Sequence, residues 1–255
     1  MRCADAGRDT AQAGRDRARG ADKDIAGGGI GQPRVGFASP DSDWDVRFLY
    51  VRPREEYLRL DRNRDVIEAV LDDVLDINGW DFDKTLKLLH GSNPTLFEWL
   101  SSPIVYREHP FAQKLRAAAA DYFLAKPGLH HYLNMAEGNY RDYLRGESVK
   151  LKKYFYVLRP LLACRHILAN GTPPPMRFEE LMHAQLDKAL MPHVEALLAR
   201  KCETSELGEG PRIAPINEYI EGSFAEIRAG IEALPRPAKR GWKDLNTLFR
   251  QSLEL

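Results

Sequence analysis

The chain is short of cysteine, has no net charge and contains no long apolar run, and each shortage removes a class of function. Its three cysteines, Cys3, Cys164 and Cys202, are odd in number and far apart, which excludes a disulfide framework and offers no metal-ligand spacing. A reducing, cytoplasmic setting is expected. Thirty-seven Lys and Arg balance thirty-seven Asp and Glu, so the overall positive field of a non-specific nucleic-acid coat is missing and any polyanion site must be local. No apolar run approaches the roughly 20 residues that cross a bilayer, and the N-terminus alternates charge with Ala and Gly where a signal peptide is apolar. Membrane and secreted readings drop out. Aromatics reach only 9% of 255 residues, but 44% are hydrophobic, enough for one large core or two small ones.

What is present divides unevenly along the chain. Of residues 1 to 35, 25 are Ala, Gly, Arg or Asp and none is aromatic, a composition that cannot pack a core and reads as disordered. Val46 to Val51 (VRFLYV) reads as a strand, and VIEAVL (66–71) with VLDI (74–77) around Asp72 and Asp73 reads as a hairpin. Past Trp80 the period is helical: Phe82 to His90, Pro94 to Ser101, His109 to Leu124, Leu129 to Arg145, Val149 to Asn170, Phe178 to Lys201 and Pro215 to Leu234. The expected class is α+β: a small sheet at 36–105, a helical domain at 106–235, and a loose tail at 236–255 that follows Pro235 and holds Pro237 near its start.

The stretch Gly36 to Val51, GFASPDSDWDVRFLYV, is the most informative. Its Ser-Pro-Asp-Ser-Asp turn brings Asp43 and Asp45 to the start of a strand, where a spacing of two sets both carboxylates on one face, roughly 6–7 Å apart at the Cα atoms. Such a pair can share two Mg²⁺ ions about 3.5–4 Å apart, the arrangement of in-line phosphoryl and nucleotidyl transfer. The plainer reading is a turn capped by its own aspartates. Asp76 tips the balance toward metal, because it stands between apolar neighbours on the second hairpin arm, where a carboxylate needs a cation or water. As a third ligand it completes the site.

With Asp43, Asp45 and Asp76 assembled, the sequence resembles the DNA polymerase β superfamily of nucleotidyltransferases, in particular its bacterial branch, the RNA repair pathway polymerase β family. The resemblance covers about residues 36 to 235, through GFASPDSDWDVRFLYVRPREEYL, LDINGWDFDKTLKLL, SNPTLFEWLSSPIVY, KKYFYVLRPLLACR and GTPPPMRFEEL. It implies a minimal palm sheet carrying three metal-binding acids and helices that hold the nucleotide or its acceptor. Two Mg²⁺ ions and an NTP such as ATP follow as cofactor and substrate. The acceptor is a terminal RNA hydroxyl, as in RNA repair, or a protein hydroxyl.

One departure stands out. The superfamily places a Gly-Ser turn about ten residues before the first aspartate to grip the triphosphate, whereas this chain reads Ile30-Gly31-Gln32-Pro33-Arg34-Val35. Back-translated with G or C at the free positions and moved one base forward, that stretch becomes Ser-Gly-Ser-Arg-Ala-Trp, the motif expected before Gly36 and Phe37. Residues 1 to about 35 are therefore expected to be out-of-frame translation, leaving the palm without its first strand; the plainer reading is a natural disordered extension.

On the helix VKLKKYFYVLRPLLACR, Lys152, Tyr156 and Arg159 recur on one face beside Lys153. That face either binds triphosphate and base or is a solvated basic surface with Tyr156 buried. Pro160 kinks the helix or ends its first half. Asp81 reads as a helix cap with Lys84 solvated, Ser92-Asn93-Pro94 as a helix start, and Arg47 as either a phosphate contact or an outward side chain. Metal-dependent nucleotidyl transfer is the function these residues favour: Asp43 and Asp45 hold metal, Asp76 helps activate the acceptor, and Lys152 or Lys153 neutralises the β,γ-phosphates. The rival is a non-catalytic nucleotide- or partner-binding domain that has lost its phosphate turn.

Overall fold

The computed structural model describes residues 23–30, 44–70, 75–203, 207–235, 238 and 240–255. Asp43 and residues 31–35 of the departing turn lie outside them. In chain order the elements are β1 Lys23–Ile30, β2 Trp44–Val51, α1 Arg54–Tyr57, β3 Val66–Val70, β4 Leu75–Asp81, α2 Phe82–His90, α3 Pro94–Leu100, β5 Val105–Glu108, α4 Phe111–Tyr122, α5 Ala125–Tyr143, β6 Ser148–Lys150, α6 Lys153–Asn170, α7 Phe178–Gln185, α8 Met191–Glu203, β7 Glu209–Pro211, α9 Ala214–Ala233 and α10 Lys243–Ser252. The class is α+β.

Five strands form one sheet in the order β3-β4-β2-β1-β5. β3 and β4 make the antiparallel hairpin that their β-rich runs predict, and β4 runs on to Asp81. β2 and β4 pair in parallel, so β4 lies between its hairpin partner and β2. One face of β2 changes character along its length, with Asp45 and Arg47 first and then the buried Leu49 and Val51. Leu49 and Val51 join Phe82 and Leu86 of α2, Leu96 and Phe97 of α3, Phe111 and Leu115 of α4, and Leu245 and Leu248 of α10 in one apolar cluster. A second cluster is built from α5 to α9, with Tyr154, Phe155, Leu158 and Leu162 of α6 at its centre.

Two expectations are overturned. Lys23–Ile30, expected to add no strand, pairs as β1 with both β2 and β5. Backbone pairing needs N–H and C=O groups rather than alternating side chains, so an Ala/Gly-rich segment can supply it. The tail is not loose: α10 buries Leu245 and Leu248, Tyr122 donates to the Gly241 carbonyl at 2.7 Å, and Trp242 stacks on His90 with centroids 3.7 Å apart. The apolar residues of DLNTLF, three apart, make that buried stripe.

Helix boundaries shift where a local rule intervenes. The helix expected from Val149 begins at Lys153, because Ser148–Lys150 pairs with Glu209–Pro211. The long helix expected from Phe178 is split into α7 and α8, and Pro192 falls in the first turn of α8, where its missing N–H costs nothing. Pro160 does not end its helix; α6 runs through it to Asn170 and closes on Gly171 at φ 67°.

Candidate active site

Asp45 and Asp76 are Cα partners across the parallel β2–β4 ladder, which puts their side chains on the same face of adjacent strands about 4.8 Å apart. Arg47, two residues beyond Asp45, lies on that face too. Its Nη2 donates to Asp45 Oδ1 at 2.5 Å and to Asp76 Oδ2 at 2.7 Å, while Nη1 donates to the carbonyls of Asp76 at 3.0 Å and Val46 at 3.1 Å. The side chains of Asp45 and Arg47 are each 11% exposed and that of Asp76 is 46% exposed, so the group is sheltered at one end and open at the other. Arg47 thus contacts the acids rather than pointing outward, which residue types alone left open. Its Cα partner on β4 is Asn78, whose buried Oδ1 accepts no hydrogen bond.

These carboxylates suit a hard divalent ion, which takes oxygen ligands and is held by one or two carboxylates with substrate phosphates. Among the described residues no group of three or more His, Cys, Asp and Glu is placed to hold a metal; Asp43, the remaining acid of the expected set, lies outside those residues.

The helical candidates fall into two separate settings. Lys153 Nζ sits 4.1 Å from the ring centre of Tyr143 and 4.7 Å from that of Tyr156, and Lys150 Nζ lies 5.9 Å from Tyr143. Burial first, then the charges of Lys150 and Lys152, hold the Lys153 ammonium below its ordinary pKa, as expected of a sheltered ammonium beside two other cations. Lys152 is exposed at the N-cap of α6, and Tyr156 is partly buried against the helical core. Arg159 is elsewhere: its Nη1 and Nη2 both reach Glu98 Oε1 at 3.1 Å, and Nε and Nη2 reach the Met176 carbonyl at 3.4 Å. Tyr132 donates to the same Glu98 oxygen at 2.8 Å. Arg159 therefore ties α6 and the segment before α7 to α3.

The structure brings Asp45 and Asp76 together and groups Lys152 and Lys153 with Tyr156. Sequence reasoning missed Asn78, Tyr143 and Glu98. Alternation from Asp76 could have found Asn78; nothing local marks Glu98 or Tyr143. Asp81 is the cap its position suggests, accepting from the Asp83 N–H at 2.9 Å and also from Tyr57 Oη at 2.9 Å, with Arg52 Nε 3.3 Å away. Burial raises the Asp81 pKa. Asn93 caps α3 through the Leu96 N–H at 3.3 Å, and Ser92 is turned to the backbone of Leu124. Cys164 is a buried thiol pushed up to about 12 by burial, and inert for that reason.

The chain is 45% identical to the uncharacterized protein YcgL of Bacillus subtilis (strain 168) over 221 residues, which is 86% of this chain and 85% of that one. A solved nucleotidyltransferase-like protein from Exiguobacterium sibiricum 255-15 aligns with 90% of this chain and 74% of its own at 15% identity and a TM-score of 0.31, a likeness too remote to support an argument. The model of the RNA repair pathway DNA polymerase beta family matches residues 30–251, from the end of β1 to the last turn of α10, and the chain belongs to that family.

Proposed function

We propose that the protein is a metal-dependent nucleotidyltransferase that moves a nucleotidyl group from an NTP to a hydroxyl acceptor, with RNA ends as the acceptor class that the family description suggests. The observation that carries the reading is the pairing of Asp45 with Asp76 on one face of adjacent parallel strands, with Asp43 one alternation ahead of Asp45 in sequence. When bound there, Mg²⁺ would polarise the α-phosphate and lower the pKa of the acceptor hydroxyl. Asp43 and Asp45 would hold the metal and so orient the triphosphate on it. Asp76, the more exposed acid, stands where it can take the acceptor proton as the acceptor oxygen bonds to the α-phosphorus and the bond to the β-phosphate bridge breaks, releasing pyrophosphate. Lys152 and Lys153 supply positive charge for the β,γ-phosphates, and Tyr156 a ring for the base. Arg159 is left out of the nucleotide contacts because its guanidinium is already committed to Glu98 and Met176.

The alternative, a nucleotide-binding domain without catalysis, draws on the missing Gly-Ser turn in Ile30 to Val35. Incubation with α-labelled NTP, Mg²⁺ and RNA carrying free terminal hydroxyls separates the two. The proposal expects label on the acceptor, reduced at least about a hundredfold by Asp45→Asn, the scale of losing a main electrostatic contact to the transition state. Binding of Mg²⁺-NTP with no transfer to RNA or protein would leave the binding domain as the better reading.

A further inference from the structure

We propose that Arg47 is the built-in counter-ion of this site, displaced from Asp45 and Asp76 by the divalent cation those carboxylates take up, and received after displacement by Asn78. The inference rests on the metal-dependent reading above and assigns a positioning residue within it.

A single nitrogen, Arg47 Nη2, lies 2.5 Å from Asp45 Oδ1 and 2.7 Å from Asp76 Oδ2. A cation held between the same two oxygens would have to replace it, since it would occupy the position of Nη2 and two positive centres at contact distance repel. The plainer role, an ion pair stapling β2 to β4, is redundant: the two strands already pair continuously from Trp44 opposite Leu75 to Tyr50 opposite Asp81. A staple also gives no account of Asn78. Its buried Oδ1 has no hydrogen-bond donor, an arrangement that costs stability in this state and that a guanidinium moved onto it would relieve. Asn78 is the Cα partner of Arg47 in the ladder, so it offers an acceptor on the same face, one step from the carboxylates. The guanidinium carries five donors in a planar fork, and a modest swing would exchange one set of acceptors for the other. The acids are thus kept neutralised until metal arrives, and the charge that leaves stays beside the site.

The test is Mn²⁺ titration, read from the loss of the free-ion paramagnetic resonance signal, on the parent and on Arg47→Met, Arg47→Lys and Asp45→Asn at low ionic strength. Arg47→Met should bind Mn²⁺ at least about tenfold more tightly than the parent, and Arg47→Lys should fall between them. Equal or weaker binding by Arg47→Met, with the parent site abolished by Asp45→Asn, overturns the Arg47 proposal alone. A parent site untouched by Asp45→Asn overturns the metal reading and this proposal with it. Should Arg47→Met fail to fold, the parent decides by itself: its Arg47 side-chain N–H resonance should shift with the same midpoint as Mg²⁺ binding, and should do so less in Asn78→Ala. An Arg47 resonance that stays unmoved at saturating Mg²⁺ contradicts the displacement.

Discussion

At Gly79 the sheet leaves no room for a methyl group, because a Cβ there would meet Phe48 Cζ at 2.2 Å. Gly79 and Phe48 are Cα partners across β2 and β4, one row beyond Arg47 and Asn78, and the far end of the ring sits against the glycine. Gly79→Ala should destabilise the fold by about 1–3 kcal/mol through overpacking, and Phe48→Leu should recover part of that loss in the double variant. Chemical denaturation of the two singles and the double gives the coupling; additive losses would contradict the contact. Arg159 is argued on the same scale. As a tether to Glu98 it should cost about 1–3 kcal/mol of stability when changed to Met, the range for a charged hydrogen bond in a sheltered setting, while nucleotide affinity stays within twofold. A nucleotide ligand would show the reverse pattern. Residue types and spacing placed Asp76 beside Asp45, because a carboxylate between apolar neighbours signals its own need. They could not place Arg159, since its partner Glu98 is sixty-one positions away on a helix whose pattern says only that it is amphipathic.

Among the elements, α6 and α10 carry the sharpest expectations. Lys153, at the first turn of α6, gives up its proton more easily in the folded chain than in the unfolded one. Folding is therefore disfavoured while Lys153 is charged, and stability rises as pH climbs through its lowered pKa toward the ordinary value of 10.5. Lys153→Met should leave stability at pH 7 unchanged or higher, yet weaken NTP binding by about 1–3 kcal/mol. Calorimetric titration together with thermal melting checks both halves; unchanged affinity would return this face to a solvated surface. For α10, Leu245→Ala should cost about 2–5 kcal/mol because that side chain is fully buried against α2 and α4. A cost near zero would restore the loose tail. The sequence shows the apolar stripe Leu245, Leu248, Phe249, but the prolines ahead of it suggested a tail, and only the docking surface on the sheet domain reveals where the stripe packs.

Across the whole molecule, two apolar clusters meet near Phe123, which packs against both, and through Glu98 on one side with Tyr132 and Arg159 on the other. The acids lie on β2 and β4 of the sheet and the lysines at the start of α6, so a nucleotide that engages both would join the sheet to the helical cluster, and its binding should couple their stabilities. β1 is the other whole-molecule question. It sits between β2 and β5 although its composition argued against any strand, and only the long-range pairing partners, invisible in the local sequence, could supply that result. Its central amides should exchange slowly with solvent, and exchange at the unprotected rate would contradict the sheet order. The family match begins at residue 30, so almost all of β1 precedes it. The most direct test of the central claim, a divalent cation held between Asp45 and Asp76, is anomalous diffraction from crystals grown with Mn²⁺ and a non-hydrolysable NTP. The account predicts a Mn²⁺ peak about 2.1 Å from oxygens of both carboxylates, with the triphosphate on it and Arg47 turned away. A saturated complex whose Mn²⁺ and nucleotide lie elsewhere, with Arg47 still joining the two acids, would contradict it.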